Sequence, residues 1–600
     1  MLIKLALSGM KSKLKDYIVL LLGLVMSISI FYMFETLALN KAFIEKNSLI
    51  NSITPVFQIG SVLLAIITVA YSLYANSFLF SLRQKEFGMY MTLGAKKRKI
   101  SLIMFIETIV IGLISLIIGL IVGVILANVV GQVLMKQLDF HSTTYAPFYL
   151  ISLLVTIIFF FILFLISALV NILQLSKVSA LDLVHGEHKA EHIIIRKKAV
   201  ILKAVLSLIL LGIGYYAMID IKNTRIIGMV IALITITAGT YLFFSTLLPL
   251  VIHKMREKQI RRSKKINSFT YAQLSFRINS LTRVLATVAM LVALGMGAIA
   301  VGFAFKNNSL LFANNFTSYD VTITNPTTAQ NKLIADLDKE ESFQYQYKRD
   351  SNKIYFNRTE LAKHKPLYID ELSKDKIKKN KRLMSNPEIN ETKWQNFLRS
   401  AFPSDVLGNH DLDIVSIEDF QKRSGQKGQI VFVKVRDFNA AIPVLKKINQ
   451  LEKEKHKNQP DYYDNNKYAM YETYSGFANG TVFMGFFLGF AFLAMMASCL
   501  MFKILTGATN DKKRYQMLTK IGVRRKLLTK SIYKEIFFIF LFPAIIGFIH
   551  VTIGMKMFNI LLIDTYYRFY VPVLLFLIIY TLYYFITVKL YREIVLRQKN

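Results

Sequence analysis

Residues 83–99 read RQKEFGMYMTLGAKKRK and lie between two long apolar stretches at about 55–81 and 102–134. Because about 20 mostly apolar residues cross the hydrocarbon core of a bilayer, both stretches are predicted to be membrane-spanning helices. The connection between them, called here the first basic segment, is short, amphipathic and predicted to be helical. An amphipathic helix of this kind can present its apolar face to a groove on a partner protein.

The composition of the chain favours a membrane protein. Hydrophobic residues make up 54% of its 600 residues, the mean hydropathy is +0.42, and Lys and Arg outnumber Asp and Glu by 74 to 38. Soluble domains contain about 45–50% apolar residues. A chain this apolar and this basic indicates a membrane protein with its positive charge on one side, rather than a nucleic-acid-binding protein. A single cysteine, Cys499, excludes a disulfide framework and a cysteine-based metal site.

Ten apolar windows are long enough to span a bilayer. They lie at about 16–38, 55–81, 102–134, 145–172, 199–219, 226–252, 283–305, 481–505, 533–558 and 570–590. The loops on one side of these windows are rich in Lys and Arg, and the loops on the other side carry few charges. Since Lys and Arg are retained in the cytoplasm, both termini are predicted to be cytoplasmic. The chain is predicted to lie in a bacterial cytoplasmic membrane, in contact with its lipids.

One long polar segment, residues 306–480, lies between the seventh and eighth windows. It holds 28 Lys and Arg and 23 Asp and Glu, which leaves 46 and 15 for the rest of the chain. Strand-like runs lie at 319–323, 343–347, 353–356 and 429–435, and helical runs lie at 328–341, 389–400 and 439–455. This mixture predicts one α+β extracytoplasmic domain between helices 7 and 8 of a polytopic α-helical protein.

The first basic segment recurs near the C-terminus. Residues 511–526, called here the second basic segment, read DKKRYQMLTKIGVRRK. At a constant offset of 428 residues, Leu93-Gly94 corresponds to Ile521-Gly522, and Glu107 corresponds to Glu535. Helices 1–4 are therefore predicted to recur as helices 7–10, with both copies in the same orientation.

These features divide the chain into five parts. The parts are a first transmembrane module at 1–190 with its basic segment at about 83–99, two linking helices at 191–265, helix 7 with an interfacial helix at 266–305, the outer domain at 306–480, and helices 8–10 with the second basic segment at 481–600. Small residues spaced by four favour close helix packing over substrate binding. These residues are Gly119 and Gly123 in helix 3 and Gly485 and Gly489 in helix 8.

No motif predicts catalysis or metal binding. The sequence has no GxxxxGK[ST] loop for nucleotide phosphates, no GxSxG elbow and no HExxH pair. The carboxylates of the outer domain show no pairing that sequence alone can identify, and no ligand-binding residue is nominated. The chain is therefore predicted not to be an enzyme itself.

The first basic segment carries a resemblance to a known family. Lys85-Glu86-Phe87-Gly88-Met89, followed by Leu93-Gly94-Ala95 and then by Glu107 in a glycine-spaced helix, resembles the FtsX/MacB-type permease domain. Ten spans with a single outer domain between the seventh and eighth resemble the bacitracin-resistance (Bce-type) ABC transporter permeases of Gram-positive bacteria. The second basic segment departs from this pattern at Arg514 and Gln516, where the first has glutamate and glycine.

The resemblance implies a permease subunit that confers resistance to, and senses, cell-wall-targeting antimicrobial peptides such as bacitracin. It implies ATP-driven mechanotransmission that acts on complexes of the peptide with a polyprenyl-pyrophosphate lipid. The implied partners are a membrane histidine kinase and two copies of a separate ATPase. The ATPase is expected to hold ATP and Mg, and this chain is expected to hold no cofactor. The implied ATPase-coupling residues are Arg83, Lys85, Glu86, Phe87, Gly88, Met89, Leu93, Gly94, Arg514, Tyr515, Met517, Ile521 and Gly522.

Two other interpretations stay open. The same permease type can serve another cargo, such as a lipid, a lipoprotein or a cell-division signal. Alternatively, the chain is a sensory scaffold without transport. The scaffold interpretation predicts that the coupling segments are dispensable, so that Glu86→Lys and Gly88→Asp leave function intact.

Overall fold

The computed structural model of the chain describes residues 8, 14–40, 48–137, 145–176, 178, 197–252, 254, 267–369, 381–387, 391–457 and 466–596. The chain forms two compact units. The first comprises Met1–Ala304, Asn479–Leu561 and Arg568–Asn600, and the second comprises Phe305–Ala478 and Leu562–Tyr567. The fold is that of a polytopic, mostly helical membrane protein.

Seven long helices can be described in the first half of the chain. They are α1 (Leu14–Leu39), α2 (Ser48–Thr92), α3 (Lys97–Gln137), α4 (Leu150–Ser176), α5 (Lys197–Ile219), α6 (Ile221–Leu242) and α7 (Asn267–Phe316). The first basic segment is not a separate helix, because α2 continues to Thr92 and α3 begins at Lys97. Similarly, α7 is unbroken from Asn267, so that no break separates the predicted interfacial helix from the span that follows it.

The second unit is an α+β domain. Its helices are α8 (Thr328–Ala335), α9 (Arg358–Lys363), α10 (Thr392–Ala401), α11 (Ser404–Leu407), α12 (Ile417–Lys422) and α13 (Phe438–Lys455). Its strands are β1 (Val321–Thr324), β2 (Lys339–Arg349), β3 (Lys353–Asn357), β4 (Leu367–Ile369), β5 (Lys381–Leu383), β6 (Asp411–Val415) and β7 (Gln426–Val435). The main sheet has the order β1-β7-β2-β3-β6 and is antiparallel except for the parallel pair β3–β6, while β4 and β5 form a separate hairpin.

The interior strand β7 lies between β1 and β2 and is covered on both faces, since side chains alternate between the faces of a strand. Ile430 and Phe432 belong to an aromatic core that also contains Trp394, and Val431 and Val433 belong to an aliphatic core under α13. One expectation for this unit is wrong. The helical run expected at 328–341 ends at Ala335, and the strand β2 begins at Lys339.

The last three long helices are α14 (Lys467–Lys520), α15 (Arg525–Gly554) and α16 (Tyr570–Val595). Among the described residues, nine helical stretches are long and apolar enough to cross a membrane. They match nine of the ten windows. The remaining window, 55–81, lies in α2, where the apolar stretch that can be described is the shorter Phe57–Leu73. The count of ten spans therefore stays a prediction.

Polar side chains join the long helices of the first unit at defined points. Tyr71 of α2 donates to Ser498 of α14 at 2.9 Å. His550 of α15 hydrogen-bonds Tyr215 of α5 at 2.9 Å and Thr240 of α6 at 3.0 Å. These bonds attach the linking pair α5–α6 to α15.

Candidate functional site: the two basic segments

The first basic segment turns sharply where α2 ends. The Gly94 N–H donates to the Met91 carbonyl at 3.1 Å, and the Ala95 N–H donates to the Tyr90 carbonyl at 2.9 Å. Gly94 has a φ of +92°, a left-handed conformation that glycine adopts without a steric penalty. Hydrogen bonds of this kind satisfy the last carbonyls of a helix and end it.

The second basic segment makes the same turn at the end of α14. The Gly522 N–H donates to the Thr519 carbonyl at 3.0 Å, and the Val523 N–H donates to the Leu518 carbonyl at 3.1 Å. Gly522 also has a φ of +92°. Every donor and acceptor lies 428 residues after its counterpart, so the two segments share their backbone geometry residue by residue.

A buried arginine anchors the first basic segment. The side chain of Arg83 is 1% exposed, and it bonds Glu86 at 3.0 Å and Glu107 of α3 at 3.1 Å. The guanidinium also lies 5.4 Å from the ring centroid of Phe87. Since a buried charge is stable only when it is paired, this ion pair fixes the end of α2 against α3.

The second basic segment is also anchored by a buried arginine, but the arginine belongs to another helix. Arg277 of α7 bonds Asp511 of α14 and approaches Glu535 of α15 at 2.7 Å. It also donates to the hydroxyl of Tyr591 in α16, and its guanidinium lies 4.6 Å from the centroid of that ring. Four helices therefore meet at this guanidinium.

An aromatic ring lies beside each ion-pair cluster. Phe87 is fully buried in the first unit, in a cluster with Ile100, Ile103, Met104 and Leu175. Tyr515, at the corresponding position of the second segment, is 1% exposed, and its hydroxyl donates to Glu535 at 3.4 Å. Burial and the nearby Glu535 raise the pKa of Tyr515, so its hydroxyl keeps the proton that it donates.

Each segment exposes two apolar side chains beside its turn. Met89 and Leu93 are 52% and 84% exposed, and Met517 and Ile521 are 61% and 74% exposed. Each pair is separated by four residues, so its two members lie on the same face of a helix. Lysines and arginines follow immediately in both segments. Each basic segment therefore presents an apolar knob with a basic border.

The remaining candidate residues divide between the interior and the surface. Gly88 is buried, and Arg514 is 47% exposed, with bonds to Gln273 at 3.3 Å and Asp511 at 3.7 Å. The side chain of Lys85 lies outside the described part of the structure. The predicted set thus contains both anchoring and surface-exposed residues, which the sequence did not separate.

The glycines nominated for packing lie at close helix contacts. A Cβ atom added to Gly119 would lie 2.7 Å from Ile28 of α1, and one added to Gly123 would lie 3.0 Å from Tyr32. In α14, a Cβ atom on Gly485 would lie 2.2 Å from the carbonyl oxygen of Ala298. A Cβ atom on Gly489 would lie 2.6 Å from Ile299, so both α14 glycines face α7.

Sequence reasoning missed the role of Arg277 and Asp511. It expected Glu107 and Glu535 to have a structural role beside basic neighbours at the entrances of their spans, but it did not name the arginines. A usable signal was present, because an acidic residue in an apolar helix requires a cationic partner. In the parts of the chain that the structure describes, no group of three or more His, Cys, Asp or Glu residues is arranged to hold a metal ion.

The chain is similar to known transport proteins. The model of the FtsX-like permease C-terminal domain matches residues 58–180. The bacitracin export permease protein BceB of Bacillus subtilis (strain 168) is 21% identical over 649 residues, 99% of each chain. The BceB of Halalkalibacterium halodurans is 21% identical over 331 residues, which are 53% of this chain and 50% of that protein. The uncharacterized ABC transporter permease YvcS of B. subtilis is 21% identical over 650 residues, 99% of each chain.

These similarities, together with the membrane-spanning helices, define the class of the protein. It is an ABC transporter permease with an FtsX-like domain, and it is a multi-pass protein of the cell membrane. Its similarity to bacitracin export permeases extends along the full chain.

Proposed function

We propose that this chain is the permease subunit of an ABC transporter that confers resistance to cell-wall-targeting antimicrobial peptides and senses them. The observation that carries the proposal is the pair of apolar knobs, each held by a buried arginine cluster and bordered by basic residues. Exposed apolar side chains on a rigid helix end suit docking into a groove of a partner. The full-length similarity to bacitracin export permeases supports the choice of cargo.

Each basic segment binds one copy of a separate ATPase, which holds ATP and Mg. Met89 and Leu93 enter a groove on one copy, and Met517 and Ile521 enter the same groove on the other. The shared backbone geometry of the two turns supports this assignment, and so does the predicted repeat of helices 1–4 and 7–10. The contact between Tyr71 and Ser498 is also consistent with such a repeat, because α2 and α14 meet there at nearly equivalent positions.

The basic segments and both termini face the cytoplasm, and residues 306–480 face outward. The distribution of charge supports this orientation, since the polar segment takes 23 of the 38 acidic residues and the other parts keep most of the basic surplus. ATP hydrolysis moves the long helices, and their motion acts on the outer domain by mechanotransmission. A membrane histidine kinase reports this activity.

The outer domain recognises the peptide together with a polyprenyl-pyrophosphate lipid. Its surplus of basic residues, 28 against 23 acidic ones, attracts a pyrophosphate and repels a cationic peptide alone. The test is to measure bacitracin binding to the purified chain in lipid nanodiscs with and without undecaprenyl pyrophosphate. Tighter binding with the lipid is expected, and equal binding would contradict the role of the lipid.

Affinity purification of the tagged chain from its native membrane tests the ATPase assignment. We expect mass spectrometry to find an ABC ATPase and a histidine kinase with the wild-type chain. The double variant Leu93→Asp with Ile521→Asp should lose the ATPase, while the control Ile417→Asp, at an exposed apolar residue of α12, should keep it. An ATPase that stayed bound to the double variant, or that never bound the wild-type chain, would contradict the proposal.

A further inference from the structure

The two ion-pair clusters contain the same charges in different places. Each has one buried arginine between two carboxylates. One carboxylate of each cluster occupies the corresponding position in the repeat, Glu107 in α3 and Glu535 in α15. In the first cluster the arginine is Arg83 of the basic segment itself. At the offset of 428, the position of Arg83 is occupied by Asp511.

The charge is also reversed three residues later in the two segments. Glu86 corresponds to Arg514, so the pair three residues apart is Arg–Glu in the first segment and Asp–Arg in the second. The reversal places the acidic Asp511 beside the acidic Glu535 in the interior. Two buried carboxylates this close require a cation, because desolvation and mutual repulsion both disfavour their charged forms. Arg514 is 47% exposed and 3.7 Å from Asp511, whereas Arg277 reaches both carboxylates from α7.

Two further contacts extend this attachment along one face of α7. Thr270 hydrogen-bonds Ser531 of α15 at 2.7 Å, and Gln273 accepts a bond from Arg514 of α14 at 3.3 Å. Residues 270, 273 and 277 recur at helical spacing, so one face of α7 is bonded to the second basic segment and to the helix after it.

The path of the chain connects this attachment to the second unit. The helix α7 leads into the second unit at its C-terminal end, and α14 leads out of that unit and ends in the second basic segment. A displacement of the second basic segment is therefore passed to α14 through the peptide chain and to α7 through Arg277. The two helices that enter and leave the stretch Phe305–Ala478 then respond together.

We propose that Arg277 is a positioning residue that ties α7 to the second basic segment, and that this segment is the one through which ligand at the second unit controls ATP hydrolysis. This inference rests on the proposed function. It assigns different roles to two docking sites that share their shape. The first segment, which carries its own arginine, serves ATPase binding.

One variant moves the buried arginine from α7 into the second basic segment, so that the cluster keeps a cation. The triple change Arg277→Met, Asp511→Arg and Arg514→Glu gives the second cluster the charges of the first. The matched control is Arg83→Met with Glu107→Gln, which removes both ion pairs of the first cluster. If the triple variant fails to fold, Asp511→Val keeps the Arg277–Glu535 pair and removes the bond between Arg277 of α7 and Asp511 of α14.

The first measurement needs neither ATPase nor ligand. In a Cys499→Ala background, spin labels at Arg283→Cys of α7 and Lys520→Cys of α14 report the distance between the two helices by electron double resonance. We expect one narrow distribution for the parent and the control, an unchanged one for Arg277→Lys, and at least a twofold broader one for the triple variant or Asp511→Val. An unchanged width of the distance distribution would show that Arg277 does not hold α7 to the second basic segment, whether or not an ATPase binds.

The second measurement uses the chain with its copurified ATPase in nanodiscs that contain undecaprenyl pyrophosphate, with bacitracin as the probe. The triple variant should keep the ATPase, and bacitracin should change its rate of ATP hydrolysis at least fivefold less than it changes the wild-type rate. A wild-type response in this variant would overturn the inference. Failure of the proposed function is distinguishable, because the wild-type complex itself would then lack the ATPase or the response.

Discussion

In the first basic segment the buried arginine belongs to the segment, whereas in the second it belongs to α7. The turns, in contrast, match hydrogen bond by hydrogen bond, and both glycines have a φ of +92°. The two exposed apolar side chains beside each turn also correspond in position. The turn and the exposed apolar pair are thus common to both segments, and the means of anchoring them differ. Two sites with one shape can be connected to different parts of the same molecule.

The largest expected difference between the segments concerns their arginines. Arg277→Met should destabilise the protein by about 3–5 kcal/mol and by more than Arg83→Met does, because it leaves two buried carboxylates without a cation, whereas Arg83→Met leaves one, Glu107. The side chains of Asp511 and Glu535 are 10% and 1% exposed, whereas that of Glu86 is 26% exposed and partly solvated. Unfolding in mixed detergent micelles, followed by circular dichroism, measures the loss.

Adding Glu535→Gln to Arg277→Met should recover part of this stability, since one buried charge is then removed. Equal losses for the two single arginine variants would show that the exposure of the carboxylates does not set the cost.

Helix packing behind the segments gives the next largest effect. A Cβ atom on Gly547 would lie 2.4 Å from Val292, and one on the corresponding Gly119 would lie 2.7 Å from Ile28. Gly547→Ala and Gly119→Ala should each cost about 1–3 kcal/mol through overpacking, with the larger loss at Gly547. Gly212→Ala is the matched control, because nothing lies within 4 Å of its added Cβ atom. A control as unstable as the two variants would contradict the packing argument.

The turns themselves should respond equally in the two segments. Gly94→Val and Gly522→Val should each destabilise the protein by about 1–2 kcal/mol, because a β-branched residue is strained at positive φ. No atom lies within 4 Å of either added Cβ atom, so the cost is conformational. Asparagine tolerates this conformation, and the Asn variants should therefore be nearly neutral in the same unfolding assay. Asn variants as unstable as the Val variants would point to a steric cause instead.

The exposed knobs should have the smallest effect on stability. Leu93→Asp and Ile521→Asp should each change the free energy of unfolding by less than about 0.5 kcal/mol, because both side chains are already largely in solvent. Thermal unfolding of the purified chain checks this expectation, with Ile417→Asp as the exposed control. A loss above about 2 kcal/mol in either variant would mean that the knob packs within the chain rather than facing a partner.

Sequence patterns predicted much of the fold because bilayer insertion and strand alternation leave strong signals. Nine of the ten apolar windows correspond to helices that can span a membrane. The strand-like runs lie at or next to strands, and the run expected at 439–455 is the helix α13. The prediction of a helix over 328–341 was wrong because the polar second half of this run carries no helical periodicity. Residues from Lys339 pair with β7 instead.

The candidate site was predicted less completely. Leu93-Gly94 and Ile521-Gly522 were identified because a repeat at a fixed offset is visible in one sequence. The ion-pair clusters were not, because they join residues far apart in the chain. Arg277 lies 234 residues from Asp511, and no local pattern links them. The reversed charges at positions 83 and 511 were the sequence feature that required an outside cation.

The number of ATPase subunits bound to the intact chain tests the central claim most directly. Native mass spectrometry of the purified complex should find two ATPase copies on the wild-type chain, one on Leu93→Asp, one on Ile521→Asp, and none when both changes are present. Two copies retained by the double variant, or one copy on the wild-type chain, would contradict the claim that each basic segment binds its own ATPase.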